Sequence, residues 1–137
     1  MRIPFGEFSK TNLRDFYESL LGLMDRQYSE HISKIEKAGG SGFSFYMLIF
    51  DSIRLFPEFR EKVMRLNDQE LKAWTSVVRA ARASGEIKSS MSGKQIARLF
   101  IYTTDGIGIR MIMEGKADRM KKEIKTIWDE FYTQIKG

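Results

Sequence analysis

The chain has 137 residues, a net charge of +5, and a composition that is 42% hydrophobic and 30% charged. That length sets one domain, residues 1–137, and that balance excludes both a disordered chain and a membrane-spanning one. With no cysteine there is no disulfide framework, thiolate metal site or cysteine nucleophile, and the single histidine, His31, removes multi-histidine metal centres. Ten Phe, five Tyr, two Trp and eight Met are more than a minimal core of this size needs, and point to an internal cavity or a second buried surface. No leader-like apolar segment opens the chain and no run of about 18 apolar residues occurs, so no membrane partner and a cytoplasmic location are expected.

Only Pro4 and Pro57 could interrupt a helix. The first helix is predicted from Thr11 or Asn12, a candidate N-cap, to Lys37, because Leu13, Phe16, Tyr17, Leu20, Leu21, Met24, Tyr28, Ile32 and Ile35 follow the three-and-four spacing of one buried stripe. Gly39-Gly40-Ser41-Gly42 ends it. The run from Phe43 to Phe50 has strand-like local propensity, but its continuation to Phe56 exceeds strand length and no hairpin partner follows, so a buried helix from Ser44 to Leu55 is predicted. Pro57 suits the first turn of a third helix, which carries Phe59, Val63, Leu66, Leu71, Trp74, Val77, Val78 and Ala81, with a kink near Asn67-Asp68 and a stop at Gly85. Ser92 and Gln95 have the spacing of a capping box and open a fourth helix ending near Glu114, with Gly115 beyond. The last helix starts at Ala117 or Asp118 and carries Met120, Ile124, Ile127, Trp128, Phe131 and Ile135. Five helices with short joints define an all-α, bundle-like domain.

The fourth helix carries the most information. Between Leu99 and Met113 only Asp105 and Arg110 are charged, and Leu99, Phe100, Ile101, Tyr102, Ile107, Ile109, Met111, Ile112 and Met113 place apolar groups on every face. A helix apolar all round is buried all round, and together with the broad apolar face of the last helix this exceeds what one small core absorbs. A two-fold self-association interface follows, with Ile107, Met111, Ile124, Trp128, Phe131 and Ile135 as its residues. Gly106 and Gly108 each cost the helix about 1 kcal/mol relative to alanine, a cost that fits close approach of another helix. Asp105, alone in this apolar stretch, needs a partner from another helix or subunit, or solvent. No second carboxylate stands at a readable spacing from it, so acid–base catalysis has no support.

A second concentration of rings, Phe43, Phe45, Tyr46, Phe50, Phe56 and Phe59, falls within 17 residues. With Phe16, Leu20, Met24, Tyr46, Ile49, Phe50, Ile53, Trp74 and Phe100 as lining, it suits a pocket between helices for a small apolar or amphipathic ligand, although a stripe of rings at helical spacing is more often plain core. From Arg110 to Lys125 six basic residues stand against three acidic, which is +3 of the total +5. No aromatic stacking platform interleaves with them, so a solvated helix face is expected there rather than a nucleic-acid patch. His31 is expected to be structural. No phosphate-binding loop, nucleophile motif or metal-ligand pattern occurs, so no enzyme activity, metal or cofactor is expected.

Three segments in order carry a resemblance. Phe56-Pro57-Glu58-Phe59-Arg60-Glu61 opens one helix, Ala80-Ala81-Arg82-Ala83-Ser84-Gly85-Glu86-Ile87 closes it, and Thr104-Asp105-Gly106-Ile107-Gly108 lies in an apolar helix. From Phe43 to Ile135 this resembles the C-terminal regulatory domain of TetR/AcrR-type transcriptional regulators. The resemblance implies an all-helical domain, a homodimer formed by the last two helices as a four-helix bundle, and a small-molecule effector pocket enclosed by the preceding helices. That family begins with a helix-turn-helix headpiece, and this sequence has none: its first helix is one long amphipathic stripe. The expectation is a regulatory domain that reaches DNA only through a headpiece outside these residues; the alternative is a helical module that only dimerises.

Overall fold

The computed structural model describes residues 12–27, 34, 37 and 42–137, and five helices account for most of them. Helix α1 spans Leu13–Gln27, α2 Gly42–Leu55, α3 Pro57–Ser84, α4 Gly93–Met113 and α5 Met120–Ile135, the last entered through a 3-10 turn at Ala117–Arg119. The described part of the chain is thus all-α, with a single isolated bridge between Ile87 and Lys136. No helix among the described residues is long and apolar enough to cross a membrane.

Local chemistry explains the boundaries. Asn12 caps α1: its Oδ1 accepts from the Asp15 backbone N–H at 2.7 Å, and its amide donates to the Asp15 carboxylate at 3.0 Å. The predicted cap at Thr11, the extension through Tyr28, His31, Ile32 and Ile35, and the joint at Gly39, Gly40 and Ser41 lie outside the described residues, while Lys34 and Lys37 are helical. Residues 43–50 are helical, as their length implied, but the helix is not buried as expected: Met47, Leu48, Phe50 and Leu55 are exposed, and the side chains of Phe43 and Phe45 lie outside the description. Pro57 stands in the first turn of α3, and Gly85, at φ 83°, ends it in the left-handed conformation that glycine adopts without a Cβ penalty. Between them α3 runs unbroken for 28 residues through Asn67-Asp68, where the sequence suggested a kink. Ser92 Oγ accepts from Gln95 N–H at 3.2 Å, as the capping spacing predicted.

The core forms where α1, α3, α4 and α5 meet. Its centre is a cluster of rings: Trp74 stacks on Phe100 at 4.9 Å between centroids, Phe16 meets Trp74 edge-on at 4.9 Å, and Trp128 meets Trp74 at 5.3 Å and Tyr17 at 5.7 Å. Burying each such side chain contributes roughly 1.5–3 kcal/mol, and favourable ring pairs add about 0.5–1.5 kcal/mol. The Trp128 indole N–H is satisfied by the Phe100 carbonyl at 3.1 Å.

Polar pairs fix α1 along α5. The buried Tyr17 hydroxyl donates to Asp129 at 2.7 Å, Lys125 bridges Glu18 at 2.9 Å and Asp129 at 3.1 Å, and Lys121 pairs with Asp25. Burial, reinforced by the hydrogen bond to Asp129, raises the Tyr17 pKa. Burial alone would raise Asp129 as well, but the Tyr17 hydroxyl and Lys125 outweigh it and hold that carboxyl below its ordinary value.

Candidate functional site

Two features outside the core involve α4, and a further set of exposed apolar side chains, Met47, Leu48, Phe50, Leu55 and Phe56, lies on and just beyond α2. The first is a groove of about 230 Å³ between α3 and α4, lined by Asn67, Asp68, Glu70, Leu71, Ile101, Tyr102 and Asp105. Successive turns of α3 deliver Asn67, Glu70 and Leu71 to one face, and the three-and-four spacing of Ile101, Tyr102 and Asp105 does the same on α4. Leu71 and Ile101 supply apolar walls. Glu70 faces Asp105, and burial first, then that neighbouring carboxylate, pushes the Glu70 pKa up to about 7. Burial raises Asp105 too, and the Tyr46 hydroxyl is raised by burial and by Asp105. The neighbour of Asp105 in this groove is therefore an acid from another helix, which sequence spacing along α4 did not reveal.

This arrangement carries a pH signature. A carboxyl raised on folding leaves the folded state unpenalised below the unfolded value near 4.5; the penalty grows as pH rises and is complete above about 7. Replacing Glu70 with glutamine is therefore expected to stabilise the protein at pH 8 by roughly 1–2 kcal/mol, allowing for partial solvent access, and to change little at pH 4. Urea unfolding at both pH values checks this, and an equal effect at both would contradict it.

The second feature is the outer face of α4. Leu99, Tyr102, Ile109 and Met113 are 42%, 60%, 41% and 65% exposed, and with Gly106 they recur at alternating three- and four-residue steps along one narrow stripe. A Cβ at Gly106 would meet nothing within 4 Å, so this glycine opens the middle of the stripe. On α5, Ile127 is similarly exposed.

The residues singled out for a pocket separate into two groups. Phe16, Leu20, Trp74 and Phe100 are buried in the core, where the rings of Phe16, Trp74 and Phe100 pack on one another, and Met24 packs against that core. Tyr46, Ile49 and Ile53 are half-buried on α2, and Phe50 is exposed. The nine residues do not converge on one cavity.

The residues singled out for an interface lie mostly inside. Ile124, Trp128 and Ile135 belong to the single-chain core, Met111 is buried, and Ile107 and Phe131 pack against the core. The physical reason is that α1 and α3 cover this side of α4 and α5, so the apolar side chains left exposed lie elsewhere, on the outer face of α4 and on Met47, Leu48, Phe50 and Leu55 of α2. Gly108 is corrected likewise. A Cβ there would stand 3.1 Å from the Tyr46 hydroxyl, so the close approach comes from α2 of the same chain.

Among the described residues no group of three or more His, Cys, Asp or Glu could hold a metal ion. No family model, curated protein or solved structure matches the chain.

Proposed function

We propose that this chain is a regulatory domain of the TetR-like kind: a homodimer that binds a small apolar or amphipathic effector and passes its occupancy to a DNA-binding headpiece. The observation that carries the reading is the outer stripe of α4. Leu99, Tyr102, Ile109 and Met113 expose large apolar groups at the spacing of a helix–helix seam, on a helix whose other side is already in the core. A two-fold contact needs one self-complementary patch, and a stripe centred on an open glycine meets that need, because two copies crossing at Gly106 bring their backbones close.

The groove between α3 and α4 supports the effector half of the reading. It combines the apolar Leu71 and Ile101 with Tyr102, which also belongs to the stripe, so a ligand there touches the seam helix directly. Such a ligand shifts the domain only through its different affinity for two packings of α3 against α4. A panel of small apolar and amphipathic compounds is expected to contain members that raise the melting temperature of the protein. That shift should disappear on replacing Leu71 with arginine, and no shift from any compound would remove the effector.

A second reading, a module that only dimerises, has its own support. Part of the aromatic surplus that suggested a cavity, Phe16, Trp74, Phe100 and Trp128, is packed ring on ring in the core. The ligand panel separates the two readings, since both require the seam.

A further inference from the structure

Three parts of the fold converge on Glu86, which follows Gly85 in the joint between α3 and α4. Its two carboxylate oxygens accept from the first two backbone N–H groups of α1, Leu13 at 2.8 Å and Arg14 at 3.2 Å. The second oxygen also accepts from the Tyr132 hydroxyl of α5 at 2.9 Å. Its own carbonyl accepts from Gly137 N–H at 2.8 Å, and the adjoining Lys88 N–H donates to Ile135 O at 2.6 Å. The joint is therefore pinned to the end of α5 and simultaneously caps the start of α1.

The capping is nearly complete. The first turn of a helix has backbone donors without intrahelical acceptors. In α1, Glu86 takes two of them and Asn12 takes the Asp15 N–H, while Phe16 N–H makes a helical bond to the Asn12 carbonyl at 3.1 Å. A carboxylate at this end also lies at the positive pole of the helix dipole. The Arg14 guanidinium, 5.8 Å from the centre of the Tyr132 ring, ties the same two helices again. Burial and the bond to Glu86 push Tyr132 up to about 12, so at neutral pH it remains a donor.

We infer that Glu86 is a latch through which the position of α5 sets the position of the first turn of α1. A displacement of α5 moves the Tyr132 hydroxyl, which removes one bond from the carboxylate and loosens its hold on Leu13 and Arg14. The orientation of the first turn of α1, with Asn12 that caps it, changes accordingly. Relaying this to a headpiece rests on the function proposed above, whereas the coupling of α5 to α1 does not.

The test is a mutant cycle read by amide hydrogen exchange on the full chain. Tyr132→Phe keeps the ring and removes only the hydroxyl, and it is expected to speed exchange at Leu13 and Arg14 by about three- to tenfold, with Val78 and Ala97 in the core unchanged. In a Glu86→Ala background those two amides exchange fast already, and adding Tyr132→Phe is expected to change them less than twofold. If Glu86→Ala does not fold, Tyr132→Phe alone decides. No change at Leu13 and Arg14, a uniform rise across the core, or the same increment in both backgrounds would overturn the latch. The measurement reads neither mass nor ligand, so its failure leaves the dimer and effector standing, and theirs leaves the latch standing.

Discussion

Replacing Trp128 with alanine is expected to lower the unfolding free energy by about 3–5 kcal/mol. The indole is 1% exposed, touches Tyr17, Trp74 and Phe100, and donates to the Phe100 carbonyl, so alanine leaves a large cavity and removes one hydrogen bond from a carbonyl that keeps the Thr104 hydroxyl at 3.0 Å. Against a typical domain stability of about 5–15 kcal/mol this is a large fraction. Trp128→Phe refills most of the volume and is expected to cost less than half as much. Denaturant unfolding monitored by circular dichroism checks both, and a Trp128→Ala loss below about 1 kcal/mol would contradict the placement of this residue at the centre of the core.

Replacing Ile109 with lysine is expected to separate the proposed dimer while leaving each chain folded. Ile109 is exposed within one chain, so a lysine there costs the fold little. In the seam it would stand next to the open Gly106 and face its counterpart across the two-fold axis, placing two like charges in a dry contact. A penalty of about 3 kcal/mol weakens association roughly a hundredfold. Trp128→Ala has the opposite profile, losing fold stability through the core rather than through the seam. The pair of variants separates core from interface, where the sequence placed Trp128 and did not single out Ile109.

The placement of Trp128 shows where the sequence is legible. Short-range signals place the boundaries: Pro57 in the first turn of α3, Gly85 at its end and Ser92 with Gln95 at the start of α4 each depend on residues a few positions apart. Periodicity shows that α4 is apolar on every side, but not which side meets its own chain. Trp128 reads as a seam residue and Ile109 is passed over until α1 and α3 are in place. Gly106 and Gly108, two positions apart, look alike in sequence; one faces open space and the other faces Tyr46. Glu70 and Asp105 lie 35 positions apart on different helices, as do Glu86 and Tyr132 at 46, and no spacing rule joins such pairs. Each becomes visible only once helices cross.

We propose that two copies join through the outer face of α4, and sedimentation equilibrium of the unmodified chain over a range of concentrations decides it. The predicted result is a mass twice the 16.0 kDa of one chain, falling to one chain's mass for Ile109→Lys. A single-chain mass at every concentration, or a dimer that Ile109→Lys leaves intact, would contradict it.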